Sequence, residues 1–254
     1  MKRRSLLLGG MAGALGLGAM LRPRDKGENH SPYFIALSEA LDGDRRSGPT
    51  LVVDRQRILA NVATLKSHVA ERFDYRIVAK SLPSLPLLKE TMAASGSDRL
   101  MLFHQPFINQ VARELPQADV LLGQPMPVAA AATFYRQFEG GAFDPSRQLC
   151  WLLDSPARVA EYAALAASLQ QAMPVCIEID VGLHRGGVNS DEDLVAMLNG
   201  IEASAQLQFR GFMGYEPHVV KVPGHGVNAL TSRSMLAAES AQRILPSSFL
   251  IWGA

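Results

Sequence analysis

The decisive stretch reads Cys176-Ile177-Glu178-Ile179-Asp180-Val181-Gly182-Leu183-His184-Arg185-Gly186-Gly187-Val188. An apolar run ends in an acid, then turns through a glycine to a basic residue and a glycine pair. This is the pattern of a strand whose C-terminal end opens into a tight loop. The glycines let the backbone pass close to a ligand, while the arginine offers a fixed cation and a fork of donors to an anionic oxygen.

Working outward, short apolar runs recur at Thr50–Val53, Arg76–Ala79, Leu100–Phe103, Val120–Leu122, Leu149–Leu153, Val175–Ile179, Phe209–Met213 and Phe249–Trp252. Stretches with helical spacing lie between them, at Arg55–Arg72, Pro86–Ser95, Phe107–Leu115, Pro127–Phe138, Pro156–Met173, Asp191–Ile201 and Ala229–Leu245. Strands alternating with helices are repeated βαβ units, and continuous apolar strands imply a parallel sheet covered by its helices. An α/β barrel fits best. A doubly wound open sheet is the competitor, because periodicity alone does not separate the two.

Composition removes other classes. The chain of 254 residues is 48% hydrophobic and 19% charged, with 25 basic against 24 acidic side chains. Balanced charge without a basic run argues against nucleic-acid binding, and the apolar fraction is too high for disorder. Two cysteines, Cys150 and Cys176, make no disulfide framework and read as small core hydrophobes. Residues 1–24 have the layout of a signal peptide: a basic start, an uncharged stretch from Ser5 to Leu21 and a basic-proline stop. Arg3-Arg4 before Ser5 and three leucines looks like a twin-arginine leader, so export to the periplasm is expected, with no stable membrane span beyond the leader. Residues 25–48 are expected to be a linker and lead-in, and 49–254 the barrel domain.

The expected strand ends carry Lys80, His104 with Gln105, Gln124, Asp154, Asp180 through Arg185, and Tyr215 through His218. In a parallel barrel these ends form one rim, where active sites are built. Lys80 closes its strand, so its amine is expected at the barrel mouth. Desolvation there would lower its pKa and free it to form a Schiff base with a carbonyl.

The string EIDVGLHRGGV (178–188) resembles the fifth-strand motif of fold-type III pyridoxal-phosphate (PLP) enzymes, whose barrel is the alanine racemase N-terminal domain. It is most similar to the branch of D-threonine aldolases and D-serine dehydratases. RIVAKS (76–81) is similar to the first barrel strand of that family, with its arginine and, after three residues, the cofactor lysine. RGFMGYEPH (210–218) resembles the sixth strand, whose end sets an aromatic or a histidine against the cofactor ring. TLVVDRQRILANVATL (50–65) is similar to the family's opening strand and helix, which there belong to a second domain.

The resemblance implies that Lys80 holds PLP and moves the Cα proton, that Arg185 bonds the cofactor's phenolic oxygen, and that Tyr215 packs on the pyridine face. Arg76 would support the lysine or the substrate carboxylate, with His104, Gln105, Asp180 and His218 standing behind these contacts. The implied activity is a lyase acting on D-amino acids, by retro-aldol cleavage or β-elimination. An amino-acid racemase and a non-catalytic PLP-homeostasis protein are the alternatives. Leu82 and Pro83 depart from the branch, which has a histidine and a second lysine there. Counting from Arg76, Phe249–Trp252 is the seventh barrel strand. The expectation is therefore a TIM-type (β/α) barrel truncated before its eighth strand and lacking the C-terminal β domain. In the family that domain holds the ligands of a divalent metal, so no metal ligands are expected within this chain. A homodimer or a missing C-terminal part is the expected partner. His218 and His225 beside Glu216 lack a third ligand, and Gly224-His225-Gly226-Val227-Asn228-Ala229 follows a proline and lacks the later acid of a dinucleotide site.

Overall fold

The computed structural model describes residues 27, 29–42, 48–69, 73–217 and 250–253. The leader, His218, the glycine run at 224–229 and the helix expected at 229–245 lie outside the described residues. The chain divides into two compact units, one ending at Asp54 and one beginning at Arg55. The first contains α1 (Pro32–Asp42), whose Tyr33 hydroxyl donates to Asp54 Oδ2 at 2.8 Å. The strand expected at Thr50–Val53 does not form, and Leu51 is 90% exposed. A strand exists by pairing, and among the described residues nothing pairs with this stretch.

The second unit opens on α2 (Arg55–His68). It continues through β1 (Ile77–Val78), α3 (Leu85–Ser95), β2 (Arg99–Leu102), α4 (Gln105–Glu114), β3 (Asp119–Leu122), α5 (Val128–Gln137) and the short α6 (Pro145–Gln148). Then come β4 (Leu149–Leu153), α7 (Pro156–Leu169), β5 (Met173–Ile179), α8 (Asp191–Glu202), β6 (Leu207–Tyr215) and β7 (Leu250–Gly253). Local chemistry sets the ends. Ser155 and Ser190 accept from the backbone N–H groups of Arg158 and Asp193, capping α7 and α8, and Pro156 fills the first turn of α7. Asp191, Glu192 and Asp193 put negative charge at the positive end of α8. Gly96 (φ +70°) closes α3 in the left-handed conformation. Buried Ile108, Val111 and Ala112 on α4, and Leu194, Met197 and Ile201 on α8, recur at the helical spacing that turns one stripe to the sheet.

The seven strands among the described residues are ordered β1-β2-β3-β4-β5-β6-β7, each parallel to its neighbour. A doubly wound sheet reverses its strand order at a switch point, and this one never does. Right-handed crossovers of one sense put the described helices that connect these strands on the same face, which is the wall of a (β/α) barrel. Trp151 of β4 marks the helix side: it is fully buried, lies 5.8–5.9 Å in ring separation from Phe134 of α5 and Tyr162 of α7, and donates its indole N–H to Tyr135 at 3.1 Å. Trp151→Ala should cost about 3–5 kcal/mol. A urea melt followed by circular dichroism would read this as a lowered midpoint.

Between β5 and β6 the register slips: Val175 pairs with Phe209, but Cys176 pairs with Gly211, leaving Arg210 as a bulge. An unbroken alternation would put Tyr215 on the side of Phe209. The extra residue reverses the faces, so Phe212 joins Phe209 on the helix side at a ring separation of 5.1 Å and Tyr215 turns inward.

Candidate active site

The carboxyl ends of the strands carry the site. Lys80 belongs to a single turn of 3-10 helix, Ala79–Ser81, and not to the strand itself, because β1 is only two residues long. It is exposed, so the described residues do not supply the desolvation expected for it. Its Nζ stands 4.4 Å from the centre of the Phe103 ring at the end of β2. That ring lies against bare backbone at Gly123, after β3, where a Cβ would stand 2.2 Å from the ring.

Arg185 is positioned by a loop clipped back onto β5. Val188 N–H donates to Glu178 O at 2.9 Å, and Asp180 N–H donates to Val188 O at 3.0 Å. Gly187 makes this possible. It has φ +92°, and a Cβ there would meet the Asp180 nitrogen and the Ile179 carbonyl carbon at 2.8 Å. Asp180 braces the inside of the loop: Oδ1 accepts from the backbone of Gly182 and of His184 at 3.0 Å, and Oδ2 meets His184 Nδ1 at 2.7 Å. Arg185 then reaches Glu178 Oε1 at 2.7 Å and lies 4.2 Å above the Tyr215 ring. Its Nε and Nη1 have no hydrogen-bond acceptor among the described residues.

Two carboxylates here are tuned in opposite directions. Burial pushes the Glu178 carboxyl up, and the Arg185 guanidinium beside it offsets only part of that. Burial also acts on Asp180, but the imidazole of His184 and the N–H groups of His184 and Gly182 outweigh it and hold the carboxyl below its ordinary value. A carboxylate with a depressed folded pKa contributes stability that is full above its unfolded pKa and is lost as pH falls through the folded one. Asp180→Asn should therefore melt earlier than the parent at neutral pH, by about 1–2 kcal/mol. That gap should close as pH drops below 3.8, the ordinary value, in paired urea melts.

The other expected residues do not converge on Lys80. Arg76 precedes β1, at the opposite end of the sheet, and its guanidinium donates to Leu100 O at 2.9 Å and Asp119 O at 2.8 Å and pairs with the Asp119 carboxylate at 2.7 Å. Gln105 turns outward, tying α4 to α5 through Asn109 and Gln137. His104 is exposed, its backbone carbonyl starting α4. Asp154 pairs with Arg158 at 3.5 Å. Glu178, Phe103 and Gly123 were not singled out from the sequence, although the period-2 series Cys176, Glu178, Asp180 puts Glu178 on the face of the other two. Among the described residues no group of three His, Cys, Asp or Glu side chains could hold a metal ion.

The family model described as alanine racemase, N-terminal domain, matches residues 53–245. The chain belongs to this family. Solved structures that share the alanine racemase fold include D-threo-3-hydroxyaspartate dehydratase from Delftia sp. HT23, at 21% identity and a TM-score of 0.67, covering 80% of this chain and 52% of that one. Alanine racemase of Clostridium difficile 630 is similar at 11% identity and a TM-score of 0.62, covering 78% and 52%. Histidine racemase from Leuconostoc mesenteroides subsp. sake is similar at 14% identity and a TM-score of 0.62, covering 77% and 50%. The chain thus spans about half the length of these structures. No curated protein matches it.

Proposed function

We propose that this chain carries the PLP site of a lyase acting on D-amino acids, by retro-aldol cleavage or β-elimination. The observation that carries the reading is Lys80. Its amine has no ion-pair or hydrogen-bond partner among the described residues, and it stands on the same end of the sheet as Arg185. The alanine racemase fold uses PLP, and the donor set here fits that group. A primary amine can bond an aldehyde carbon, and a guanidinium with two uncommitted nitrogens can take a phenolic oxygen. Tyr215 and Phe103 offer aromatic faces at the rim.

The cofactor, when bound, withdraws electron density from the substrate Cα. The protein does the rest. Lys80 Nζ would anchor the cofactor, and in β-elimination it would receive the proton from Cα. In retro-aldol cleavage the Cα–Cβ bond breaks instead, the β-hydroxyl proton goes to a base and a proton is returned to Cα. Arg185 fixes the ring's orientation through the phenolic oxygen, and Glu178 with Tyr215 fixes Arg185. The twin-arginine-like leader supports a periplasmic site of action, since a cofactor bound in the cytoplasm crosses the membrane only inside a folded protein.

The test is to titrate the purified chain with PLP and follow the band that lysine-bound cofactor gives at about 410–430 nm. D-threonine, D-serine and D-alanine are then added and the products analysed. Glycine with acetaldehyde, or pyruvate with ammonia, is the expected result. Cofactor uptake with no turnover of any amino acid would sink the lyase reading in favour of a PLP carrier, and racemised product would move the reading to a racemase.

A further inference from the structure

Two thiols unused by the proposed chemistry meet inside the sheet. Cys150 on β4 and Cys176 on β5 are both free, and their sulfurs stand 3.2 Å apart. The strands are direct neighbours in parallel register, Leu152 opposite Cys176. Trp151 and Val175, the residues between and beside them, are fully buried, and Trp151 packs on the helices, so the thiols share the other face of the sheet. The separation is inside the van der Waals contact of two sulfurs, and about 1 Å more closes it to bonding distance. Cys150 is partly exposed while Cys176 is fully buried. Cys150 is the more accessible of the two residues, which makes it the one to meet an oxidant when its strand opens and Cys176 the one placed to resolve it.

We propose that Cys150 and Cys176 form a reversible disulfide that fastens β4 to β5 two residues below Glu178, the anchor of Arg185. The oxidant is a small-molecule disulfide such as oxidised glutathione. The Cys150 thiolate attacks one sulfur of that disulfide, and one glutathione thiolate leaves and takes up a proton. The Cys176 thiolate then attacks the Cys150 sulfur of the mixed disulfide and expels the second glutathione. Two protein thiols are oxidised and one disulfide is reduced to two thiols, so atoms and electrons balance. Burial, and then the neighbouring Cys176 thiol, push the Cys150 thiol well above its usual value. Exchange is accordingly slow at neutral pH and quickens as pH rises and the thiolate fraction grows.

The inference stands apart from the functional reading, since its test needs neither cofactor nor turnover. The full chain is equilibrated in graded ratios of oxidised to reduced glutathione, quenched with acid, alkylated in denaturant and digested with trypsin. The expected product is peptide 148–158 joined to peptide 159–185, each holding one of the cysteines. A parallel set in 8 M urea, about the usual unfolding range, gives the same constant for the unfolded chain. The folded chain should cross-link with an equilibrium constant at least about tenfold larger, because the fold holds the sulfurs together. The oxidised chain should also melt at a higher urea concentration than the reduced one. Equal constants in the two sets, or glutathione left on either cysteine with no joined peptide, would overturn the proposal. Cys150→Ser and Cys176→Ser each remove the joined peptide, and a joined peptide in either variant would equally overturn it.

Discussion

Lys80→Ala should abolish turnover and the absorbance of lysine-bound cofactor while leaving the fold in place. The loss of acid–base catalysis alone is worth about 10²–10⁴-fold, and loss of the covalent anchor adds to it. The fold survives because Lys80 is exposed and, among the described residues, its amine meets only the face of Phe103. A cation over a ring at an exposed position contributes about 0.5–1 kcal/mol, too little to unfold the chain. Lys80→Arg is the sharper control. Arginine keeps the charge over Phe103 but stays protonated and cannot serve as an amine nucleophile. Equal cofactor absorbance in Lys80→Arg and the parent would rule out Lys80 as the anchor.

Glu178 carries the second large effect, and it should separate stability from binding. Its side chain is 4% exposed and its carboxyl is pushed up by burial, so ionising it costs the folded state. A folded pKa above the unfolded one means that stability falls as pH climbs from the ordinary value of 4.5 through the folded value. Glu178→Gln removes that cost. The variant should therefore be at least as stable as the parent at neutral pH, with the two curves meeting in acid. Cofactor affinity should move the other way. Arg185 loses the anion that holds it over Tyr215, and a small misplacement of such a group costs up to about 100-fold. Glu178→Leu should lose more affinity than Glu178→Gln, and Glu178→Asp less than Glu178→Leu. Weaker folding without weaker cofactor binding in Glu178→Gln would reduce Glu178 to a packing residue.

Much of this was legible in the chain because burial writes itself into residue type. β4 spans Leu149–Leu153, as its apolar run indicates, and the strands on either side fall within two residues of theirs. Strand order was not legible in the hydrophobic runs, which say nothing of which neighbour each one pairs with, and the expected barrel order rested on the resemblance of the strand motifs. The Thr50–Val53 run shows the limit of pattern alone: its residues have the β-branched character of a strand, but its ladder needs a partner. At the site, Lys80 and Arg185 could be read because each closes a recognisable motif. Arg76 could not be placed, because a residue in the same short motif as Lys80 sits at the other end of a strand only two residues long. Gln105 follows its strand but begins a helix, and the first turn of that helix aims it at α5.

The bulge at Arg210 bears on how such a site changes over time. Removing Arg210 itself would leave Phe209 and Phe212 on the helix side and Tyr215 inward, in a regular ladder, because the bulge is what absorbs the extra residue. A residue lost beyond the bulge, between Gly211 and Gly214, would instead turn Tyr215 outward among the helices, and Arg185 would lose the ring beneath it. The aromatic wall of the pocket is thus written in the count of residues between Phe209 and Tyr215, and in the bulge that takes up one of them, as much as in their identities. Point substitutions can explore this pocket gradually, whereas a single codon lost in β6 beyond the bulge rebuilds it in one step.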